Sequence, residues 1–381
     1  MLGSTLVRAP VVEGRAVTAA LHLHAVGKSF GRVAALRAVT LAVDPGEYIT
    51  ILGPSGSGKS TLLRLIAGFD RPDTGRVEVL GQDLAGRSAH ERGVGFVFQS
   101  FALFPHLSVF ENLAFGLRYR RHAPVIDAAQ VRREVDAALA LVGLSGLGAR
   151  SVAQISGGQK QRVALVRCLV GKPRVVLLDE PLGALDANLR DQMALELTRI
   201  QRQLGCTFLH VTGNEQEALA LGSRVAVLDQ GALVQIDTPR RLFERPASSQ
   251  VARLLNCFNP LSGQAAGGRL AGPAFDVPLP DVAAQWHGAA LCMVRRDRVQ
   301  VDADQPGNGG RGDGDPRRAH ITGTYLASEY AGSRVLAIFR TGAGAHFEVE
   351  YHLSHRRPPA FVAGRRYALR WQAAETLAYA A

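Results

Sequence analysis

The chain has 381 residues, 47% of them apolar, enough for two domains and a sizeable core, and no stretch approaches the roughly 18 consecutive apolar residues of a membrane-spanning helix. Its four cysteines (Cys168, Cys206, Cys257 and Cys292) stand far apart without a C-x-x-C, which reads as reduced thiols and excludes a disulfide-built fold. The net charge of +11 suits an anionic partner, but no basic low-complexity arm and no aromatic-interleaved basic patch is present, so charge alone does not favour nucleic acid.

In chain order, residues 1–18 read as a loose tail, and the opening MLGSTLVRAPVVEGRAV lacks the apolar core expected of a signal peptide. From about Leu21 to Leu80 short apolar, strand-like segments dominate. Among them Tyr48 to Leu52 leads into GPSGSGKST, and Leu62 to Ala67 follows as a helix. This strand, glycine-rich loop and helix is the context in which G-x-x-x-x-G-K-[ST] binds phosphate. The residues concerned are Gly53, Pro54, Ser55, Gly56, Ser57, Gly58, Lys59, Ser60 and Thr61. Gly53, Gly56 and Gly58 let backbone N–H groups turn inward as an anion nest, and the helix N-terminus adds partial positive charge. Lys59 is placed for the β/γ-phosphates and the Ser60 hydroxyl for Mg²⁺. A nucleoside triphosphate is the expected ligand.

Val94 to Phe98 reads as a buried strand, and Gln130 to Leu144 as a helix with Val131, Val135, Ala138, Leu139 and Val142 on one face. Ser156 to Arg162, SGGQKQR, precedes another helix. By spacing alone it is either a second phosphate nest or an ordinary serine N-cap with glycines. Parallel-sheet strands are expected at Val175–Leu178, Thr207–Val211 and Val225–Leu228, with a helix over Leu189 to Leu204. The first ends in Asp179 and Glu180 before Pro181. Acids at the end of a buried strand need a cation, so Asp179 is read as a Mg²⁺ ligand and Glu180 as general base for an attacking water. Beyond residue 255 come short alternating runs, such as Phe347, Val349 and Tyr351, with a Gly- and Asp-rich loop at Gln305 to Arg318 as the expected first site of proteolysis. They suggest a separate small all-β domain.

Together these motifs resemble the ATP-binding subunit of an ABC transporter, from about Leu21 to the C-terminus. The resemblance implies an α/β P-loop NTPase core over 19–250 with a helical subdomain at about 100–157. A C-terminal all-β, oligonucleotide-binding-type barrel with a regulatory role over 255–381 would follow. It further implies a head-to-tail homodimer in which Ser156, Gly157, Gly158 and Gln159 complete the partner's phosphate loop. Asp186 matches the dimer-crossing aspartate loop. Gln99, in VGFVFQS, matches the glutamine loop that senses γ-phosphate and metal, and Phe30, in KSFG, matches the ring that stacks on adenine. The implied setting is peripheral, on the cytoplasmic face of the inner membrane, with two transmembrane permease subunits and, indirectly, a substrate-binding protein. No nucleic-acid partner is expected, and a soluble ABC-type ATPase of DNA repair or translation is the rival class.

The tail segment GALVQIDTPRRLFERPAS resembles importers of spermidine/putrescine and ferric iron, with sulfate and sugar-phosphate relatives. Polyamine is the favoured solute. One departure stands out: where the family carries a switch histidine after the strand Thr207–Val211, this chain has Gly213. His210 is three positions earlier and so on the opposite strand face. A slow, nucleotide-gated subunit is therefore the alternative to a rapid ATPase.

Overall fold

A computed structural model describes residues 18–119, 127–303 and 317–380. The expected tail, apart from Thr18, and all but the last two residues of the Gln305–Arg318 loop lie outside the described residues. The chain divides into two units, 1–239 and 240–381.

In the first unit, β1 (Leu21–Phe30) and β2 (Val33–Val43) form a hairpin, followed by β3 (Tyr48–Leu52) and α1 (Lys59–Ala67). β4 (Thr74–Val79) and the short β5 (Gln82–Asp83) complete an antiparallel sheet in the order β2-β1-β4-β5. β6 (Val94–Val97) leads to a helical region of α2 (Val109–Arg118), α3 (Ala128–Leu141) and α4 (Gly157–Leu169). β7 (Val175–Asp179), α5 (Ala187–Leu204), β8 (Thr207–Thr212), α6 (Glu215–Leu221), β9 (Arg224–Asp229) and β10 (Ala232–Asp237) follow. The second sheet runs β10-β9-β3-β8-β7-β6, parallel except for β10.

The central strands β3, β7 and β8 of this second sheet are buried on both faces, which explains their largely apolar character. Alternate residues serve two cores. Ile49, Ile51, Val175, Leu177, Leu209 and Val211 pack with α1 and the inner face of the antiparallel sheet. Tyr48, Val176, Leu178 and Phe208 face the helices instead. The helix expected over Gln130–Leu144 is α3, which starts earlier, at an Asp127 cap, and ends before Val142. α5 stops where Gly205 takes a left-handed conformation, the usual way to end a helix without a Cβ clash.

In the second unit α7 (Pro239–Glu244) and α8 (Ser249–Leu254) precede ten strands. These are β11 (Pro260–Ala266), β12 (Arg269–Gly272), β13 (Phe275–Pro278), β14 (Gly288–Val294) and β15 (Gln300–Ala303). They continue as β16 (Arg318–Ala331), β17 (Arg334–Thr341), β18 (His346–His352), β19 (Arg366–Gln372) and β20 (Thr376–Ala380). Two five-stranded antiparallel sheets, β13-β12-β11-β14-β20 and β15-β19-β16-β17-β18, enclose one core that includes Cys292, Phe339, Phe347 and Trp371. The division falls before α8 rather than near 255 because Arg295 gathers residues 240–255 to the β-domain. Its guanidinium stacks 3.5 Å above the Phe243 ring centroid and donates to the Phe243 and Leu255 carbonyls at 2.6 and 2.9 Å.

Candidate nucleotide site

The phosphate loop leaves the buried end of β3 and opens α1. Two of its glycines are required by close packing. A Cβ at Gly53 would lie 2.2 Å from the Leu228 carbonyl oxygen, and one at Gly58, whose φ is +103°, 2.5 Å from that of Ala35. No side chain caps α1 and no acid lies in its first turn, so its leading N–H groups and dipole face the loop uncompensated.

Lys59 is 5% exposed. Its ammonium donates to the carbonyls of Gly53 and Pro54 at 2.9 and 3.0 Å and stands 3.8 Å from Glu180 Oε1. Burial lowers its pKa, and the charges of Glu180 and Asp179 pull it back up. The Ser60 hydroxyl donates to Asp179 Oδ1 at 3.0 Å. Burial pushes the Asp179 carboxyl above its usual range, against that hydrogen bond, and Glu180 adds to the rise while Lys59 opposes it. Two adjacent acids at a strand end, one held up by desolvation, mark a place built for added positive charge.

Glu180 has φ +45°, a left-handed conformation that costs a side-chain-bearing residue on the order of 1–3 kcal/mol. Its N–H donates to the Val211 carbonyl at 3.1 Å, and its Oε2 accepts from Gln99 Nε2 at 3.2 Å. Thus the ends of β6, β7 and β8 converge on Glu180, β6 at its carboxylate and β8 at its backbone. A cleft of about 590 Å³ opens here, lined by Ser55, Gly56, Gly58, Lys59, Ser60, Thr61, Gln99 and Glu180 together with Val33, Ala34, Ala35, Arg37, Gln230 and Gly231. Arg37 and Gln230 carry no local signature, because the pairing of β2 with the β9–β10 turn, through Arg37 N–H and the Gly231 carbonyl at 2.7 Å, is non-local.

Other sequence-designated residues lie elsewhere. Phe30 ends β1, 51% exposed, with Lys28 Nζ 5.5 Å from its ring centroid; its hairpin partner Val33, not Phe30, lines the cleft. Ser156 caps α4 in a reciprocal box with Gln159, and Asp186 caps α5 through Leu189 N–H at 2.9 Å. Neither these caps nor Gly157 and Gly158 belong to the cleft lining.

At the end of β8, a Cβ built on Gly213 would meet only the Gly53 carbonyl oxygen, at 3.8 Å. Neighbouring Thr212 donates to buried Glu217 at 2.7 Å, and Glu217 also pairs with Arg190 of α5 at 3.5 Å. His210 is fully buried on the helical side, its Nδ1 3.0 Å from the Tyr48 hydroxyl. This Thr212–Glu217–Arg190 network carries no sequence motif either.

The family model described as ABC transporter matches residues 36–183. The sulfate/thiosulfate import ATP-binding protein CysA of Caulobacter vibrioides is 46% identical over 280 residues, 74% of this chain and 82% of that protein. The chain is an ATP-binding subunit of an ABC importer. The spermidine/putrescine import ATP-binding protein PotA of Rubrobacter xylanophilus is similar at 49% identity over 251 residues, 66% of this chain and 65% of that relative. Among solved structures, a dimeric ATP-binding cassette in a post-hydrolysis state, bound to ADP and Pi, aligns with TM-score 0.53 and 31% identity over 58% of this chain and 99% of that one. The importer subunit binds ATP and couples its hydrolysis to transport.

Proposed function

We propose that Glu180 is the general base that activates water against the γ-phosphate of ATP held on the Gly53–Thr61 loop. The observation that carries this is the left-handed backbone of Glu180, which aims one carboxylate oxygen toward Lys59 and the other at Gln99 across the mouth of the cleft. Lys59 exchanges the loop carbonyls for the β/γ-oxygens, and the N–H groups of the loop and α1 take the remaining phosphate charge. Ser60 Oγ, Asp179 Oδ1 and Gln99 Oε1 are hard oxygen donors, a set that fits Mg²⁺. Ser60, Asp179 and Gln99 would hold Mg²⁺, which would supply positive charge against the triphosphate.

Ser156, Gly157, Gly158, Gln159 and Asp186 lie outside this chain's cleft, which supports the head-to-tail reading: a second copy brings its Ser156–Gln159 segment to the phosphate loop. Phe104, Phe115 and Tyr119 form a chain of ring contacts, with Phe115 42% and Tyr119 74% exposed. An exposed aromatic patch of this kind suits a transmembrane permease subunit. Among the described residues no helix is long and apolar enough to cross a membrane, so the two permease subunits would hold the ATPase at the cytoplasmic face.

The proposed solute is a polyamine, in keeping with the likeness to the spermidine/putrescine relative. Sulfate is the second reading, favoured by the length of the match to the sulfate/thiosulfate relative, 280 residues against 251 for the polyamine one. Reconstitution of the ATPase with its permeases and measurement of ATP-dependent spermidine and sulfate uptake decides between them. The Glu180→Gln variant tests the mechanism: wild-type hydrolysis by it would reject Glu180 as the base.

A further inference from the structure

On the outer face of the antiparallel sheet, away from the residues that line the cleft, β1 carries His22 and His24 two positions apart, both projecting on the side opposite buried Leu21 and Leu23. Register places Glu78 of β4 directly across from His22. The imidazole rings lie 3.7 Å apart between centroids, and His24 Nε2 is 3.1 Å from Glu78 Oε2. One ligand atom from each of the three residues falls within 4.8 Å of the other two. We propose that His22, His24 and Glu78 bind a borderline transition-metal cation of the Zn²⁺ class.

Three observations support the assignment. First, His24 Nε2 is enclosed and faces Glu78 Oε2 at 3.1 Å, so one imidazole nitrogen and one carboxylate oxygen already point at each other. Second, Arg76 occupies only Oε1 of Glu78, at 2.7 Å, and leaves Oε2 turned to the imidazoles. Third, Ala42 of β2, on the other side of His22, is too small to block the outer face. Two imidazoles and a carboxylate are the donor set preferred by Zn²⁺ and its neighbours, and they leave a fourth position for water. Tetrahedral binding at about 2.0–2.2 Å requires donor atoms roughly 3.3 Å apart, so side-chain rotation of an ångström or so closes the site without backbone movement. The β-bulge beyond His24, where Ala25 has φ +47° and its N–H donates to Thr40 Oγ1 at 3.0 Å, fixes the direction of that side chain. A bound ion would clasp β1 to β4.

The test titrates Zn²⁺ into the nucleotide-free full-length chain against a chromophoric chelator, with Co²⁺ absorption reporting the coordination geometry. One equivalent of tight, tetrahedral binding is expected. His22→Ala and His24→Ala should each weaken it by at least about tenfold and abolish the Zn²⁺-dependent rise in unfolding temperature. Arg76→Gln keeps all three ligands and removes the competing guanidinium, so it should tighten binding whatever the fate of the alanine variants. Equal stoichiometry and affinity in wild type and the His22→Ala/His24→Ala double variant would overturn the proposal. So would an Arg76→Gln chain that binds no more tightly than wild type.

Discussion

Glu180 combines a left-handed backbone with a carboxylate that faces Lys59 and Gln99. Glu180→Gln keeps the shape and the backbone bond to Val211, so nucleotide affinity should persist while turnover falls roughly 10²–10⁴-fold. Steady-state hydrolysis beside ATP binding measures both, and an ATP-bound dimer should accumulate on size-exclusion chromatography. Lys59→Ala should instead lose tight binding itself, since the β/γ-oxygens lose the cation whose ammonium sits within the loop. Equal nucleotide affinity in the two proteins would count against that role. Gly213 poses the opposite question. Its φ is not in the left-handed region and its Cβ site is open, so Gly213→His fits without strain. If Glu180, Gln99 and a partner's aspartate loop position water as proposed, the added imidazole should change turnover by less than about tenfold, although a lone charge-stabilising donor can be worth about 10²–10³. A larger rise would favour the slow, nucleotide-gated subunit.

At the scale of elements, β8 joins the site to the helices by two buried polar groups. Glu217 ties the end of β8, through Thr212, to Arg190 near the start of α5, so the Asp186 cap and the Gly213 turn share one anchor. On the same strand face as Thr212, His210 sits against Tyr48 with its Nε2 3.8 Å from Glu217 Oε2, and burial pushes its pKa down to about 3. The unfolded imidazole, near 6.5, takes up a proton that the folded one refuses, so its stabilising contribution is complete above about pH 6.5 and is lost as pH falls toward 3. Glu217 works the other way: burial raises its carboxyl, so its contribution is full at low pH and fades as pH rises past the ordinary carboxylate range. His210→Gln leaves a partner for the Tyr48 hydroxyl and removes the titrating imidazole beside Glu217. Its denaturant unfolding should depend less steeply on pH between about 7 and 4 than that of wild type, and parallel curves would mean that His210 is not held neutral.

What the sequence made legible at this scale was local. The placement of Gly53–Thr61 between an apolar strand and a helix, and of Asp179 and Glu180 at a strand end, was legible because each is one contiguous loop on a strand buried on both faces. Arg37, Glu217 and the His22–His24–Glu78 cluster stayed invisible because each depends on strand register or on packing between elements far apart in the chain. Phe30, marked by its spacing from Gly53, ends β1, and its hairpin partner Val33 is the residue of that pair that lines the cleft.

For the molecule as a whole, the position of the division has a measurable consequence. Composition changes near residue 255, yet α7 and α8 group with the β-domain. Their anchors lie in later strands and turns: Arg295 holds the Phe243 and Leu255 carbonyls, and Met293 of β14 packs with Ala252 and Cys257. A fragment of residues 1–259 would keep these segments and lose every one of those partners, leaving a buried carbonyl pair and a small apolar cluster open to water. A fragment of residues 1–239 would end at the unit's own edge. The shorter fragment should therefore be the more soluble of the two and should unfold at an equal or higher temperature, while still binding ATP through the intact Gly53–Thr61 loop. Residues 240–381 should fold alone around the Phe339, Phe347 and Trp371 core, with a cooperative melt of their own. Calorimetry of the three fragments beside the full chain measures this. A higher melting temperature for 1–259 than for 1–239 would place α7 and α8 with the ATPase unit, and a non-cooperative 240–381 would mean that the β-domain depends on the first unit to fold.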